Sequence, residues 1–307
     1  MWLLLSVIGY ALLAVVAIMD KFLLSSAKVQ PVLYTFYSTI FVLPLLLLVP
    51  FGVHFLNTPF DWAMAILSGL SFSVALWAMF LGFEKSAISH VGPLVGAATP
   101  LFVLLFSSLF LAEVLTSRQL LAAGFLILGS LIVSFERSDK FVGWHWGMLY
   151  GVLAGMLFAT SHVSAKYIYA HYDFFSGFVW TRATTGILGL ILLLHPIVYH
   201  SLFRSSVLDK VKNKLLSART KKDNIILVII NKVLGSGAVV FIQYAAAVGS
   251  VTLVNALNGL EFAILIVLVF LLSKFWPKIF KENYSTLVII QESVAVLVIA
   301  IGLFLLV

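Results

Sequence analysis

The chain has 307 residues, of which 62% are hydrophobic and 10% charged, with no cysteine; its mean hydropathy is +1.13. A water-soluble domain is nearer half apolar and a quarter charged, so a soluble globular protein is excluded at once. The excess of 19 basic over 12 acidic residues gives +7, but it does not point to nucleic acid. Nine of the charges crowd between Arg204 and Asp223, and most others sit at the ends of apolar runs. Without a thiol there is no disulfide framework, thiolate metal site or cysteine nucleophile.

Crossing a bilayer takes roughly 20 apolar residues as a helix. The apolar runs, split at charges, Pro and Gly, predict ten helices at 2–24, 32–53, 62–83, 90–112, 119–135, 144–169, 176–199, 225–247, 251–272 and 286–307. Helix is the expected form because lipid-exposed backbone must satisfy its own hydrogen bonds, and no ten-residue alternating pattern suggests a barrel. The expected class is an all-α, multi-pass integral protein of the plasma (cytoplasmic) membrane. Trp2, Trp62, Trp144, Trp146 and Trp276 fall near span ends, where indoles favour the interface.

Span one lacks the basic start and small-residue cleavage site of a signal peptide and is read as structure; it ends in Asp20-Lys21. Pro44 is placed to kink span two, and Trp77 is a candidate apolar wall in span three. Span four carries Gly92, Pro93, Gly96 and Pro100, with the two prolines placed to loosen its backbone, and Gly235 and Gly237 are placed to kink span eight. After it, Thr116-Ser117-Arg118-Gln119 fits a capping box for span five. Span six carries small residues every fourth position, at Gly143, Gly147, Gly151, Gly155 and Ala159. Such a stripe lets another helix backbone approach closely, for static packing first and a sliding surface second.

The histidines show no metal-ligand spacing; only His162, four residues before Lys166 on one face, is positioned to line a cavity. Lys166 lies nearer a span end and is long enough to snorkel. Span seven holds Trp180 and Arg182. The connection at 201–224 is rich in Lys and Arg, and Phe203, Val207, Val211 and Leu215 recur every four residues. That pattern predicts an amphipathic helix on anionic headgroups, with a solvated loop as the alternative.

Charges within spans of the second half are the main candidates for function: Arg182, Lys232, Glu261 and Glu292. Glu261 is near the centre of span nine, on a strip with Asn255 and Asn258 at steps of three. Gln243 lies three turns after Lys232 and shares its face. The expected site centres on Glu261, with Lys232 and Glu292 as charged neighbours and Arg182 beyond the midplane. Asn255, Asn258 and Gln243 are to supply neutral hydrogen bonds, with Trp77 and Trp180 as walls.

The second half echoes the first. An offset of 145 sets Lys21 on Lys166 and Ala14 on Ala159; an offset of 160 sets Ala87 on Ala247, Val91 on Val251, Phe102 on Phe262 and Phe110 on Phe270. Five spans per copy, 1–140 and 141–307, would make the second copy enter the membrane inverted, a transporter plan.

Thr99-Pro100 through Leu111-Ala112-Glu113, the following Thr116-Ser117-Arg118-Gln119, the Gly-containing span with Gly124 and Gly129, and the connection Ser86-Ala87-Ile88-Ser89 together carry a resemblance. They resemble the EamA-type domain of the drug/metabolite transporter superfamily, over the whole chain as two such domains. Ser273 and Leu260 stand in the second copy where Glu113 and Pro100 stand in the first. Ala14 occupies the middle of span one, where small multidrug members use an acidic residue for proton coupling. The resemblance implies a secondary transporter with no cofactor and is silent on substrate; the expected cargo is a small polar or amphiphilic metabolite, and the cations Arg182 and Lys232 within the spans fit an anionic one.

Two other classes were weighed. An intramembrane enzyme would need a nucleophile or metal motif, and neither Gly-x-Ser-x-Gly nor His-Glu-x-x-His occurs. A lipid-binding scaffold would rest on the basic connection alone. On orientation, charge bias and resemblance disagree. Fifteen Lys and Arg lie in or beside the connections 1–2, 3–4, 5–6, 7–8 and 9–10, which puts both termini outside; the resemblance implies cytoplasmic termini. The charge bias is the stronger guide. A Cys introduced in the Lys210–Lys222 segment should resist an impermeant thiol reagent in intact cells and react after permeabilisation. Labelling in intact cells would reverse the orientation.

Overall fold

The computed structural model describes residues 1–24, 30–85, 88–134, 146–203, 221–275 and 286–306. The helices are α1 Trp2–Leu24, α2 Pro31–Ile40, a 3-10 segment Leu43–Phe51, α3 Pro59–Lys85, α4 Ile88–Phe110 and α5 Ser117–Ser134. The second half has α6 Trp146–His171, α7 Phe174–Ala183, α8 Gly186–Leu192, α9 Pro196–Phe203, α10 Lys221–Val248, α11 Val251–Ala256, α12 Asn258–Phe275 and α13 Thr286–Leu306. Among the described residues there is no strand. Seven segments are long and apolar enough to cross a membrane, and three shorter apolar helices occupy the remaining predicted spans. The protein is an all-α, multi-pass membrane protein. Gly143, Trp144, Trp276 and residues 204–220 of the basic connection lie outside the described residues, as do the side chains of Lys21 and Lys232.

Several buried hydroxyls are satisfied within their own helices. Ser6 donates to the Trp2 carbonyl, Thr39 to Thr35, Ser73 to Gly69, Thr99 to Val95 and Thr181 to Gly177, at 2.7–2.9 Å. An apolar surrounding makes this bond back to residue i−4 the nearest available acceptor. The predicted capping box is formed: Thr116 N–H donates to Gln119 Oε1 at 2.9 Å, and Gln119 N–H to Thr116 Oγ1 at 3.3 Å.

Pro44 does mark a break. Span two is helical to Ile40 and then tightens to the 3-10 segment, which begins at Leu43 and ends before Gly52 at φ 99. Proline lacks the N–H that an α-helix would need there. By contrast α4 continues as α-helix through Pro93 and Pro100, and α10 through Gly235 and Gly237. The further interruptions fall at Thr184–Thr185, between α7 and α8, and at Leu257, between α11 and α12. No Pro or Gly stands at either place. Instead Thr184 Oγ1 donates to the Ala65 carbonyl of α3 at 2.7 Å, and Ser73 of α3 donates to the Thr185 carbonyl at 2.9 Å. Tertiary hydrogen bonds hold the first break open.

The bundle centres on α6, which packs against both α3 and α4; α10 packs on α1, α5 on α13, and α2 on α8. The small-residue stripe of α6 makes this possible. A Cβ at Gly155 would lie 2.7 Å from Ala98 Cβ and 3.1 Å from Thr99 N, both on α4; one at Gly151 would lie 3.3 Å from Leu94. The stripe is a packing surface. Gly155→Val should therefore destabilise the protein in detergent by about 1–3 kcal/mol through overpacking. Gly124→Ala, where an added Cβ meets nothing within 4 Å, should be neutral or stabilising by up to about 1 kcal/mol. Thermal unfolding of the two variants checks the contrast.

Candidate functional site

The site is built on the two interrupted spans. Arg182 is the penultimate residue of α7, two before the Thr184–Thr185 break, and Asn255 is the penultimate residue of α11, two before Leu257. Asp173 caps α7 by accepting from Ser176 N–H at 2.9 Å, and Ser250 caps α11 by accepting from Leu253 N–H at 3.0 Å. Each short helix thus has a fixed start and presents a polar side chain at its inner end.

Four helices converge there. Asn255 Nδ2 donates to the Val251 carbonyl at 2.8 Å, so its Oδ1 faces His162 Nδ1 of α6 at 2.6 Å as acceptor. His162 Nδ1 must then carry hydrogen, which leaves Nε2 of the neutral ring with a lone pair. Two turns further along the same face of α6, Tyr169 donates its hydroxyl to Gln243 Oε1 of α10 at 3.1 Å. The Arg182 guanidinium lies close enough to Tyr169 to interact with it electrostatically. Thr181 lies 3.4 Å from that oxygen. Phe72 of α3 lies 4.7 Å from the guanidinium carbon, with Phe178 at 6.0 Å, and Phe158 stacks on His162. Arg182 is only 6% exposed, and its Nε and Nη2 atoms have no hydrogen-bond partner among the described residues.

The other candidates disperse. A step of three turns a helix by 300°, so Asn255, Asn258 and Glu261 drift by about 60° each and do not share one line. Asn258 Nδ2 donates to the Gly96 carbonyl of α4 at 3.4 Å. Glu261 lies close enough to Tyr10 of α1 to interact with it electrostatically, and Tyr10 donates to the Val254 carbonyl at 2.9 Å. Among the described residues, Glu261 makes no hydrogen bond or ion pair.

Glu292 is on α13, which packs against α5 and α12, away from the network just described. Trp77 packs in an apolar cluster with Phe36, Leu188 and Leu192. Trp180 is elsewhere, edge-on to Trp62 at 4.8 Å, with Nε1 donating to the His54 carbonyl at 2.8 Å. The two tryptophans do not form one wall. Lys166 does not snorkel: its ammonium donates to the carbonyls of Ala246, Ala247 and Gly249 at 2.7–2.8 Å. It caps the end of α10.

The end of the bundle that holds the N-terminus is roofed over this network. Residues 53–58 cross α6 and α7: His54 N–H donates to Ser176 Oγ at 2.8 Å, and Asn57 N–H to Tyr172 Oη at 2.7 Å. Asp61 accepts from Tyr172 at 2.6 Å, Tyr167 at 3.1 Å and Thr58 Oγ1 at 2.6 Å. The bond to Asp61 also raises the Tyr172 phenol above its ordinary pKa. Burial pulls Asp173 upward, but the Ser176 donors and its other partners outweigh that and leave its carboxyl below the usual value. Nearby, Thr252 donates to Glu113 Oε2 at 2.7 Å, which gives Glu113 a structural role at the end of α4.

Residues 1–135 match the EamA-like transporter family. That half of the chain is EamA-like. The family belongs to the drug/metabolite transporter superfamily. No curated protein sequence matches the chain. A crystal structure 18% identical in sequence superposes with a TM-score of 0.65 over 98% of this chain and 94% of that one, a likeness of fold.

Among the described residues, no group of three His, Asp or Glu could hold a metal ion. The sequence reading passed over Tyr169, Thr181 and Phe72. Tyr169 lies two helical turns after His162 and so shares its face, a signal that was present. The capping role of Lys166 has a direct consequence. Lys166→Met should lower stability by about 1–3 kcal/mol, because three carbonyls lose a charged donor, while leaving substrate affinity unchanged. A large affinity change without a stability change would return Lys166 to the site.

Proposed function

We propose that this chain is a secondary transporter of a small polar or amphiphilic metabolite, working by alternating access between two EamA-like five-helix repeats, 1–140 and 141–307. One observation carries the reading: in an otherwise apolar bundle, His162, Tyr169, Arg182, Gln243 and Asn255 converge from four helices on one buried network. Polar residues at such depth stand where membrane proteins bind substrates, and interrupted helices are how transporters expose groups to them.

The packing supports the repeat reading. Numbering the predicted spans one to ten, span three packs on six as one packs on eight, and four on six as one on nine. Exchange of the halves maps each pair onto the other. The substrate path is taken to run past Arg182, His162, Asn255 and Gln243. Glu261, with Asn258 beside it, is the group through which coupling would act, since Tyr10 links it to the backbone of α11. Lys232 and Glu292 belong to the path towards the basic end. On the charge-based orientation the roofed end faces outward, and the segment 201–224 rests on anionic headgroups of the plasma membrane.

Reconstituted vesicles incubated in a mixture of small metabolites, then washed and read by mass spectrometry, test the proposal. Wild-type protein should load at least one small polar compound above protein-free vesicles. Asn255→Ala with His162→Ala should abolish loading, Glu261→Gln should fold yet lose or uncouple flux, and neutralising Lys210, Lys212 and Lys214 should spare it. Failure of wild-type protein to load any compound would reject the transporter reading.

A further inference from the structure

We infer that Arg182 is a receptor for a single carboxylate on the transported molecule, gripping it through the Nε and Nη2 edge of the guanidinium. This rests on the transport reading above and specifies its substrate class.

The two atoms left without partners are not an arbitrary pair. Nε and Nη2 lie on one edge of the planar guanidinium, and their N–H groups point the same way. That edge matches the two oxygens of a carboxylate with two parallel hydrogen bonds. Tyr169, fixed by Gln243, lies close enough to Arg182 to interact with it electrostatically. Phe72 at 4.7 Å and Phe178 at 6.0 Å lie near the guanidinium carbon. The partnerless edge is therefore held in place by α3, α6, α7 and α10 rather than left to swing.

No described carboxylate bonds to the Nε or Nη2 atoms of Arg182. Asp61 is engaged by Thr58, Tyr167 and Tyr172, Glu113 accepts from Thr252, and Glu261 neighbours Tyr10. An Arg buried to this degree without a counter-charge is unfavourable, and removing a partner from such a site leaves a large desolvation penalty. A ligand that brings one negative charge relieves it. Lys166, the lysine of α6, is taken up by three carbonyls. Arg182 thus offers one charge and one free edge, which favours a carboxylate over a doubly charged phosphate monoester.

Full-length protein in detergent, followed by thermal unfolding against ligand concentration, tests this. The probes are lactate and benzoate, their uncharged counterparts lactamide and benzamide, and glycerol 3-phosphate. At least one of the two acids should raise the wild-type Tm saturably, and its amide should not. Arg182→Lys, which keeps the charge and loses the fork, should weaken the response about tenfold or more. Arg182→Met should remove it, with folding checked by circular dichroism and size exclusion; if that variant does not fold, Arg182→Lys carries the test. The inference is overturned if neither acid binds wild-type protein, if amides bind as well as acids, if glycerol 3-phosphate binds best, or if Arg182→Lys binds like wild type. Vesicles that load only uncharged compounds would also overturn it while leaving the transporter reading intact.

Discussion

A charge in a medium that cannot solvate it must find a partner, and this bundle is organised around one that has not. Arg182 stands in a buried position with one edge of its guanidinium empty. Everything around it serves to keep that edge in place. Tyr169 lies within electrostatic reach of it and is held by Gln243, and the Phe72 and Phe178 rings lie close by. The C-terminal end of α7, where carbonyl dipoles converge, is also the favourable end for a cation.

Holding such a group requires helices that approach closely and helices that stop early. Close approach comes from the small residues of α6, whose backbone meets α4 at Gly155 and α3 near Gly147. Early stops come from Thr184–Thr185 and Leu257, where cross-helix hydrogen bonds from α3 and the Tyr10 contact from α1 take up groups of the interrupted spans. The roof of residues 53–62 over α6 and α7 then covers the N-terminal end. Its bonds run between the first and second halves of the chain, so opening that end would require breaking Asp61 from Tyr167 and Tyr172 together. The same contacts that cover this end therefore join elements that the proposed alternating access would separate.

The spans, the capping box at Thr116, the role of the α6 stripe and the break at Pro44 were legible in the sequence, because each rests on local chemistry. The two interruptions beside the site were not. They are fixed by tertiary hydrogen bonds, whereas the sequence signals of Pro and Gly pointed to α4 and α10, which are continuous α-helices. Arg182, His162, Asn255 and Gln243 were found as polar residues in apolar spans, and the fold brings them together. Glu261 was found for the same reason but faces Tyr10, since depth in the membrane says how costly a charge is and not which way it points. Lys166 was misjudged because its distance from a span end does not reveal that another helix ends beside it.

The sequence offsets suggest why the two halves differ. Subtracting 145 from His162, Tyr169 and Arg182 gives Ala17, Leu24 and Tyr37; subtracting 160 from Gln243 and Asn255 gives Phe83 and Val95. Four of the five counterparts are apolar, and the fifth carries no charge. The family match covers residues 1–135, whereas the polar network lies in the second half, with Phe72 of the first half against it. In a two-copy transporter both copies must form the moving frame, but one charge needs to be placed only once. A second Arg at position 37 would add an unmatched cation to the same interior, with its own desolvation penalty. On the proposed two-repeat transport reading, the departures of the second half from the first are the expected result of loading the substrate chemistry onto one repeat. The first copy is free to supply packing surfaces such as Phe72 and the roof that closes over them.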